Sequence, residues 1–189
     1  PGVTPEDIDT VLLTHLHRDH AGGLVLNGKA AFANARVLVG KAELEYWTTP
    51  RNEKNNPGLR DNFTLARSIV SAYGPRLRTF SPNEEPVPGI LAVAASGHTP
   101  GHAAFLLTSG AGRLLFWGDA VQAGALQFPH PEIYAPSDMA GKAAASSRRL
   151  LLALAAAENI PVAGTHLPFP GLGRVEPPGS GFSLFPVSP

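Results

Sequence analysis

The chain has 189 residues, of which 43% are hydrophobic and 16% charged, and its Lys and Arg residues balance its Asp and Glu residues at 15 each. This composition is typical of a globular domain with a sizeable core. The zero net charge argues against nucleic acid as a partner, because a phosphate backbone needs a basic surface. The chain has no Cys, and no apolar run reaches the roughly 18–20 residues of a transmembrane helix. We therefore expect one soluble domain over residues 1–189, cytoplasmic or periplasmic, without a membrane partner.

The apolar pattern along the chain predicts short strands that alternate with helices, which is typical of an α/β (α+β) fold. The polar stretch 51–58 predicts a loop, and the Pro- and Gly-rich tail from Pro168 predicts a segment that wraps the surface. Ser137 and Asp138 are expected to cap the longest helix. In chain order, we expect a helix start at 4–7, strands at 11–13 and 35–39, helices at 41–47 and 63–73, strands at 77–80, 87–95, 103–107 and 114–117, a helix from 139 to about 158 and a strand at 160–163.

The first predicted strand leads into a cluster of three histidines and one aspartate, which follows Thr14 and ends at His20. Imidazole and carboxylate groups are ligands for zinc-type ions. In an extended segment His15 and His17 project to the same side, and Asp19 continues that alternation. His20 then turns toward the other side, so that one short loop can serve two ions.

Three further ligand candidates, His98, Asp119 and His166, each follow an apolar strand and a small residue. Rigid strands fix the loops that follow them, and such loops can converge on one site. His102 lies four residues after His98 and is expected to support the site rather than bind an ion, because metal-bound histidines lean on neighbouring groups. Thr14 is assigned the same supporting role.

The order of these residues resembles the metallo-β-lactamase superfamily, and the resemblance covers most of the chain. It implies an αββα sandwich with a binuclear metal site at one edge. Because the histidine cluster arrives so early in this sequence, the N-terminal strands of the sandwich are expected to be missing and the chain to be a fragment of a longer protein. The implied ligands are His15, His17 and His98 for one ion, Asp19, His20 and His166 for the other, and Asp119 as the bridge between them.

Two ions roughly 3.5–4 Å apart can share a hydroxide and lower its pKa toward neutrality. This chemistry predicts a hydrolase whose nucleophile is a metal-bridging hydroxide, with Asp19 and Asp119 as its catalytic carboxylates. No Ser or Cys nucleophile is needed. Zinc is the expected metal, and manganese, cobalt and iron are compatible with the same nitrogen and oxygen ligands.

The segments after Asp119 and His166 are apolar and predict the rim of a pocket. Leu126, Phe128, Phe169 and Leu172 are candidates for substrate contact, as is Trp47; the alternative is that the aromatic rings only pack in the core. Both segments resemble the methyl parathion hydrolase-like branch of the superfamily, whose apolar pocket takes organophosphate triesters. The expected substrate is therefore a small neutral ester, namely a lactone, an aryl ester or a phosphotriester. A homodimer is compatible with the sequence.

Four other functions are weighed against this one. A β-lactamase is disfavoured, because true β-lactamases of this fold place a non-bridging residue where Asp119 stands. A glyoxalase II-type thioesterase shares the ligand set but carries a C-terminal helical domain with basic residues for its thiol cofactor, which the sequence does not suggest. A phosphodiesterase or nuclease is disfavoured by the zero net charge. The non-enzyme alternative is a truncated, inactive fragment that binds metal.

Overall fold

A computed structural model describes residues 2–177 and 181–187 and divides the chain into two compact units, Pro1–Ser81 and Pro82–Pro189. Both units contain strands and helices, which confirms the mixed α/β class. The strands are β1 (Thr10–Leu12), β2 (Val25–Leu26), β3 (Lys29–Ala30), β4 (Arg36–Gly40), β5 (Leu77–Phe80), β6 (Ile90–Ala94), β7 (Ala103–Ser109), β8 (Gly112–Phe116), β9 (Pro161–Ala163), β10 (Leu172–Glu176) and β11 (Ser183–Pro186). The helices are α1 (Arg18–Ala21), α2 (Lys41–Thr48), α3 (Pro50–Asn55), α4 (Arg60–Tyr73), α5 (Gly124–Gln127) and α6 (Gly141–Ala157). Over the described ranges, none of these helices has the length and apolar character needed to cross a membrane.

The first unit is built on a three-stranded parallel sheet in the order β1-β4-β5. Strand β4 lies at the centre, where Val37 pairs with Val11 of β1 and Val39 pairs with Thr79 of β5. Val37, Leu38 and Val39 are all buried, as expected for the central strand of a parallel sheet. The run of consecutive apolar residues in β4 is therefore explained by its position.

Helices α2 and α4 of the first unit pack against each other. Phe63, Ala66, Ile69 and Tyr73 of α4 are buried, and their spacing of three or four residues places them on one face of the helix. Trp47 of α2 lies edge-on to Phe63, with ring centroids 4.8 Å apart. This contact joins the two helices through aromatic packing.

The polar stretch 51–58 is helical, which corrects the expectation of a loop. Helix α3 spans Pro50–Asn55, and a short 3-10 helix follows at Pro57–Leu59. Proline suits the first position of a helix, because its φ is already helical and its missing N–H has no partner to lose there. The side chain of Asn52 donates to the carbonyl of Tyr46 at 3.0 Å, so this polar side chain ties α3 to the last turn of α2.

The second unit is built on a six-stranded sheet in the order β11-β10-β9-β8-β7-β6. All neighbours in it are antiparallel except β8 and β9, which run parallel. Leu115 and Trp117 from the sheet region and Leu151 and Leu152 from α6 belong to one buried cluster. Helix α6 thereby covers apolar side chains of this unit.

The tail after Pro168 adds strands β10 and β11 to this sheet, which corrects the expectation that it wraps the surface. In β10, Gly173 and Val175 are buried while their neighbours are more exposed, the alternation of a strand with one covered face. Leu184 of β11 packs against the same apolar cluster. Residues 178–180 and 188–189 of the tail lie outside the described residues.

Candidate metal centre

The loop after β1 carries the ligand candidates of the first unit. A ligand nitrogen of His15 and one of His17 lie within 4.8 Å of each other. His17 has an extended backbone and directly precedes α1, so Asp19 and His20 occupy the first turn of a helix. This corrects the expectation that Asp19 continues the extended alternation. Nε2 of His20 lies 3.4 Å from Oδ2 of Asp19, which places an imidazole and a carboxylate side by side.

Thr14 lies at the start of this loop, and its hydroxyl is 3.0 Å from Nδ1 of His15. A contact at one ring nitrogen orients the imidazole and presents the other nitrogen as the ligand. His15 is fully buried, and its ring centroid is 4.8 Å from that of His17 and 4.2 Å from that of His20. The three rings are therefore clustered within this unit. The supporting role of Thr14 stays a prediction, and this contact favours it.

Two fully buried side chains of α2, Glu43 and Trp47, hold the loop. Oε1 of Glu43 accepts a hydrogen bond from the N–H of Leu16 at 2.9 Å and another from Nε1–H of Trp47 at 2.7 Å. The Trp47 ring also lies edge-on to His17, at 5.5 Å between centroids. Because Trp47 is a core residue with its polar atom bonded, the expectation that it lines the substrate pocket is corrected.

Three ligand candidates of the second unit come from the ends of different strands. His98 follows β6, Asp119 follows β8 and His166 follows β9. Nε2 of His98 and Nε2 of His166 lie 3.3 Å and 3.2 Å from the same oxygen, Oδ2 of Asp119. Ligand bonds of about 2.0–2.1 Å around a tetrahedral ion separate the ligand atoms by about 3.3–3.4 Å. The spacing of these three side chains therefore suits metal ligation.

Asp138 supports His98, a role that the sequence analysis missed. Its Oδ1 lies 3.0 Å from Nδ1 of His98, and its Oδ2 accepts a hydrogen bond from the N–H of Ala135 at 2.8 Å. Burial by itself raises the pKa of Asp138, but the hydrogen bonds from His98 and Ala135 and the charge of Arg148 hold that pKa below its ordinary value. An ionised Asp138 can accept a hydrogen bond from Nδ1–H of His98, which leaves Nε2 of His98 as the ligand atom. The expectation that Asp138 caps α6 is corrected, because α6 begins at Gly141.

His102 has contacts at both ring nitrogens. Nδ1 lies 3.0 Å from the carbonyl oxygen of Ala95, and Nε2 accepts a hydrogen bond from the N–H of Asp119 at 3.0 Å. This pattern assigns the ring proton to Nδ1 and fixes the backbone of Asp119. The supporting role expected for His102 stays a prediction, and these contacts favour it over metal ligation.

An apolar groove of about 740 Å³ lies beside His166 in the second unit. Phe169 is 98% exposed and Leu126 is 54% exposed, whereas Phe128 is almost buried and also packs near Trp117. Phe128 therefore serves the core as well as the groove. Four side chains expected at the pocket rim line this one groove: Leu126, Phe128, Phe169 and Leu172.

The donor types in the two units suit divalent metal ions. Imidazole nitrogen and carboxylate oxygen bind zinc, and also manganese, cobalt and iron. Thiolate is excluded, because the chain has no Cys. The residues present thus fit the cofactor type that the sequence predicts.

The chain belongs to the metallo-beta-lactamase superfamily, whose family model matches residues 1–166. It is 33% identical over 119 residues to the N-acyl homoserine lactonase AttM of Azorhizobium caulinodans, a match that covers 56% of this chain and 38% of the relative. It is also 33% identical over 120 residues to the N-acyl homoserine lactonase of Bacillus cereus, which covers 63% of this chain and 41% of that relative. The chain thus spans about two fifths of the length of these relatives.

Two solved structures resemble almost the whole chain. One is AidC, described as a dizinc quorum-quenching lactonase in complex with a product, N-hexanoyl-L-homoserine; the TM-score is 0.90 at 29% identity, over 99% of this chain and 67% of that chain. The other is the hydrolase AbOPH of the beta lactamase superfamily, with a TM-score of 0.89 at 31% identity over the same shares. These likenesses agree with the fold class expected from the sequence.

Proposed function

We propose that this chain supplies the metal ligands of a metal-dependent lactone hydrolase that binds two divalent ions. The observation that carries the proposal is the convergence of His98 and His166 on one oxygen of Asp119. A carboxylate with an imidazole on each side is suited to bridge two ions. The proposed ligands are His15, His17, Asp19, His20, His98, Asp119 and His166.

Divalent ions, when bound, supply Lewis acidity that polarises an ester carbonyl and acidifies a water molecule. The chain's own residues orient the reaction. Asp138 holds His98 through Nδ1, and His102 holds the backbone N–H of Asp119. The carboxylate of Asp19 is 61% exposed, and we propose that it accepts a proton during ester hydrolysis. Asp19 and Asp119 are thereby the proposed catalytic carboxylates.

The groove beside His166 supports a neutral substrate with an apolar substituent. Its lining, within the part of the chain that the structure describes, includes no Lys, Arg, Asp or Glu. Burying an anion against such walls is costly without a partner. N-acyl homoserine lactones combine a neutral ring with an apolar tail, and several relatives are named as lactonases for them. We place the acyl tail along Leu126, Phe128, Phe169 and Leu172.

A second candidate substrate class is the aryl ester or phosphotriester. The observation that favours it is the aromatic wall of the groove, where the Phe169 ring is 98% exposed. Aromatic rings stack on aryl leaving groups, and they also make apolar contacts with alkyl chains. The two classes share one groove, so relative rates distinguish them.

The test is kcat/KM of the zinc-loaded protein toward a panel of N-hexanoyl-homoserine lactone, p-nitrophenyl acetate, a phosphotriester, a phosphodiester, a thioester and a β-lactam. We expect the lactone to lead, and we expect its hydrolysis to be lost on chelation and restored by added Zn²⁺. If p-nitrophenyl acetate or the phosphotriester gives the highest kcat/KM, the second candidate substrate class replaces the first. If the phosphodiester, the thioester or the β-lactam gives the highest kcat/KM, the neutral-ester assignment is contradicted. Turnover that survives chelation would contradict metal dependence.

A further inference from the structure

The guanidinium of Arg148, on α6, is fully buried inside the second unit. Its Nε donates to the carbonyl of Ala120 at 2.6 Å, and its Nη1 donates to the carbonyls of Pro131 at 3.0 Å and Ile133 at 2.7 Å. Its Nη2 lies 3.4 Å from Oδ2 of Asp138. A buried charge is retained only when it is paired and hydrogen-bonded, and Arg148 meets both conditions.

Two of these acceptors are connected to proposed metal ligands, one through the chain and one through a side-chain contact. Ala120 directly follows Asp119 in the chain. Asp138 contacts Nδ1 of His98 at 3.0 Å through its other oxygen. One planar group therefore connects the backbone beside the proposed bridging carboxylate with the carboxylate that orients a proposed histidine ligand.

The carboxylate of Asp138 is held from several sides. Gln122 donates to its Oδ1 at 3.2 Å, and Ser137 donates in turn to the side-chain oxygen of Gln122 at 2.8 Å. Arg148 supplies the positive charge on the opposite oxygen. Without that charge, Asp138 would keep only neutral donors and the contact with His98, so its position would be less defined.

We propose that Arg148 is a positioning residue for the metal centre, which acts through Ala120 and Asp138 to hold Asp119 and His98 at the separation that metal ligands need. The inference rests on the proposed binding of divalent ions and is independent of the substrate. Lysine could not replace this residue, because its ammonium is a point charge with three donors, whereas arginine presents five donors in a fixed plane.

The experiment measures Zn²⁺ affinity of the purified metal-free protein in competition with a chromophoric chelator, together with the Co²⁺ absorption spectrum. The variants are Arg148→Lys, Arg148→Met and Asp138→Asn. The matched control is Arg149→Met, since Arg149 is the next residue on α6 and its side chain is 56% exposed. Changes in groups that orient metal ligands typically weaken metal binding about 10–100-fold.

We expect a loss of that size for Arg148→Lys and for Asp138→Asn, with altered Co²⁺ bands, and wild-type behaviour for Arg149→Met. A purely structural role would lower the melting temperature of metal-free Arg148→Lys and leave its Zn²⁺ affinity and Co²⁺ spectrum unchanged; that result would overturn the inference. If Arg148→Met does not fold, the Zn²⁺ affinity of the nearly isosteric Asp138→Asn variant is the deciding measurement. Wild-type Zn²⁺ affinity in Asp138→Asn would also overturn the inference. A wild-type protein that binds no Zn²⁺ would refute the proposed function itself, which separates the two failures.

Discussion

In the first unit the ligand candidates lie within six consecutive residues, from His15 to His20, whereas in the second unit they are spread from His98 to His166. The first set depends on one loop and the short helix α1. The second set depends on three strand ends being brought together by the sheet. A local change can therefore disturb the first set alone, while the second set is sensitive to the packing of its whole unit.

The supports of the two sets differ in the same way. The histidine loop of the first unit is tied to α2 by Glu43, which accepts a hydrogen bond from the N–H of Leu16, and by the Trp47 ring, which lies against His17. In the second unit, Asp138 and Arg148 form a network that reaches several backbone segments. A ligand motif that is continuous in sequence thus still needs an anchor from elsewhere in the fold, here a helix that begins more than twenty residues later.

The largest effect is expected for Asp119→Ala in the second unit. The change removes the oxygen that both His98 and His166 face, and two cations would then lie together without a bridge. We expect a loss of zinc affinity beyond the roughly 100-fold that is typical of supporting residues, with loss of most hydrolytic activity. Chelator competition and kcat measure the two effects. Glu176→Ala, an exposed acid on β10, is the control, and equal zinc retention in the two variants would contradict the bridging role.

The next effect is expected for Glu43→Ala in the first unit. The change leaves two buried donors, Leu16 N–H and Trp47 Nε1–H, without their acceptor, and a stranded buried donor costs about 1–3 kcal/mol. We expect the free energy of unfolding to fall by about that amount for each donor, as measured by denaturant titration. Glu45→Ala, on the same helix with its side chain 66% exposed, should change the stability little. A similar loss in both variants would remove Glu43 as the anchor of the loop.

The smallest effect is expected for Phe169→Ala at the groove. Because this ring is 98% exposed, its removal should leave the melting temperature unchanged and raise KM for a long-chain lactone about threefold to tenfold, as expected from the loss of about 1 kcal/mol of apolar contact. Phe128→Ala is a poorer test, since Phe128 is nearly buried and its loss also disturbs the core. An unchanged KM across acyl-chain lengths would remove Phe169 from the substrate site.

Much of this molecule could be predicted from short-range patterns. The apolar runs of β4, β5, β7 and β8 and the helical spacing of α4 are confirmed, because each depends on neighbouring residues. Glu43, Asp138 and Arg148 could not be identified as supports in this way, because their partners lie 27, 40 and 28 residues away. The four-residue spacing of Glu43 and Trp47 was the one available indication, since it places both on one helix face. The tail was mispredicted because its Pro and Gly content obscured the alternation of β10.

The zinc content of the purified protein tests the proposed two-ion site most directly, and it is measured by elemental analysis alongside one ligand variant from each unit. We expect two ions per chain in the active wild-type protein and a lower content in both His17→Ala and His166→Ala, because each variant loses one of the proposed ligands. One ion or none in active wild-type protein, or full zinc content in either variant, would contradict the proposed two-ion ligand set.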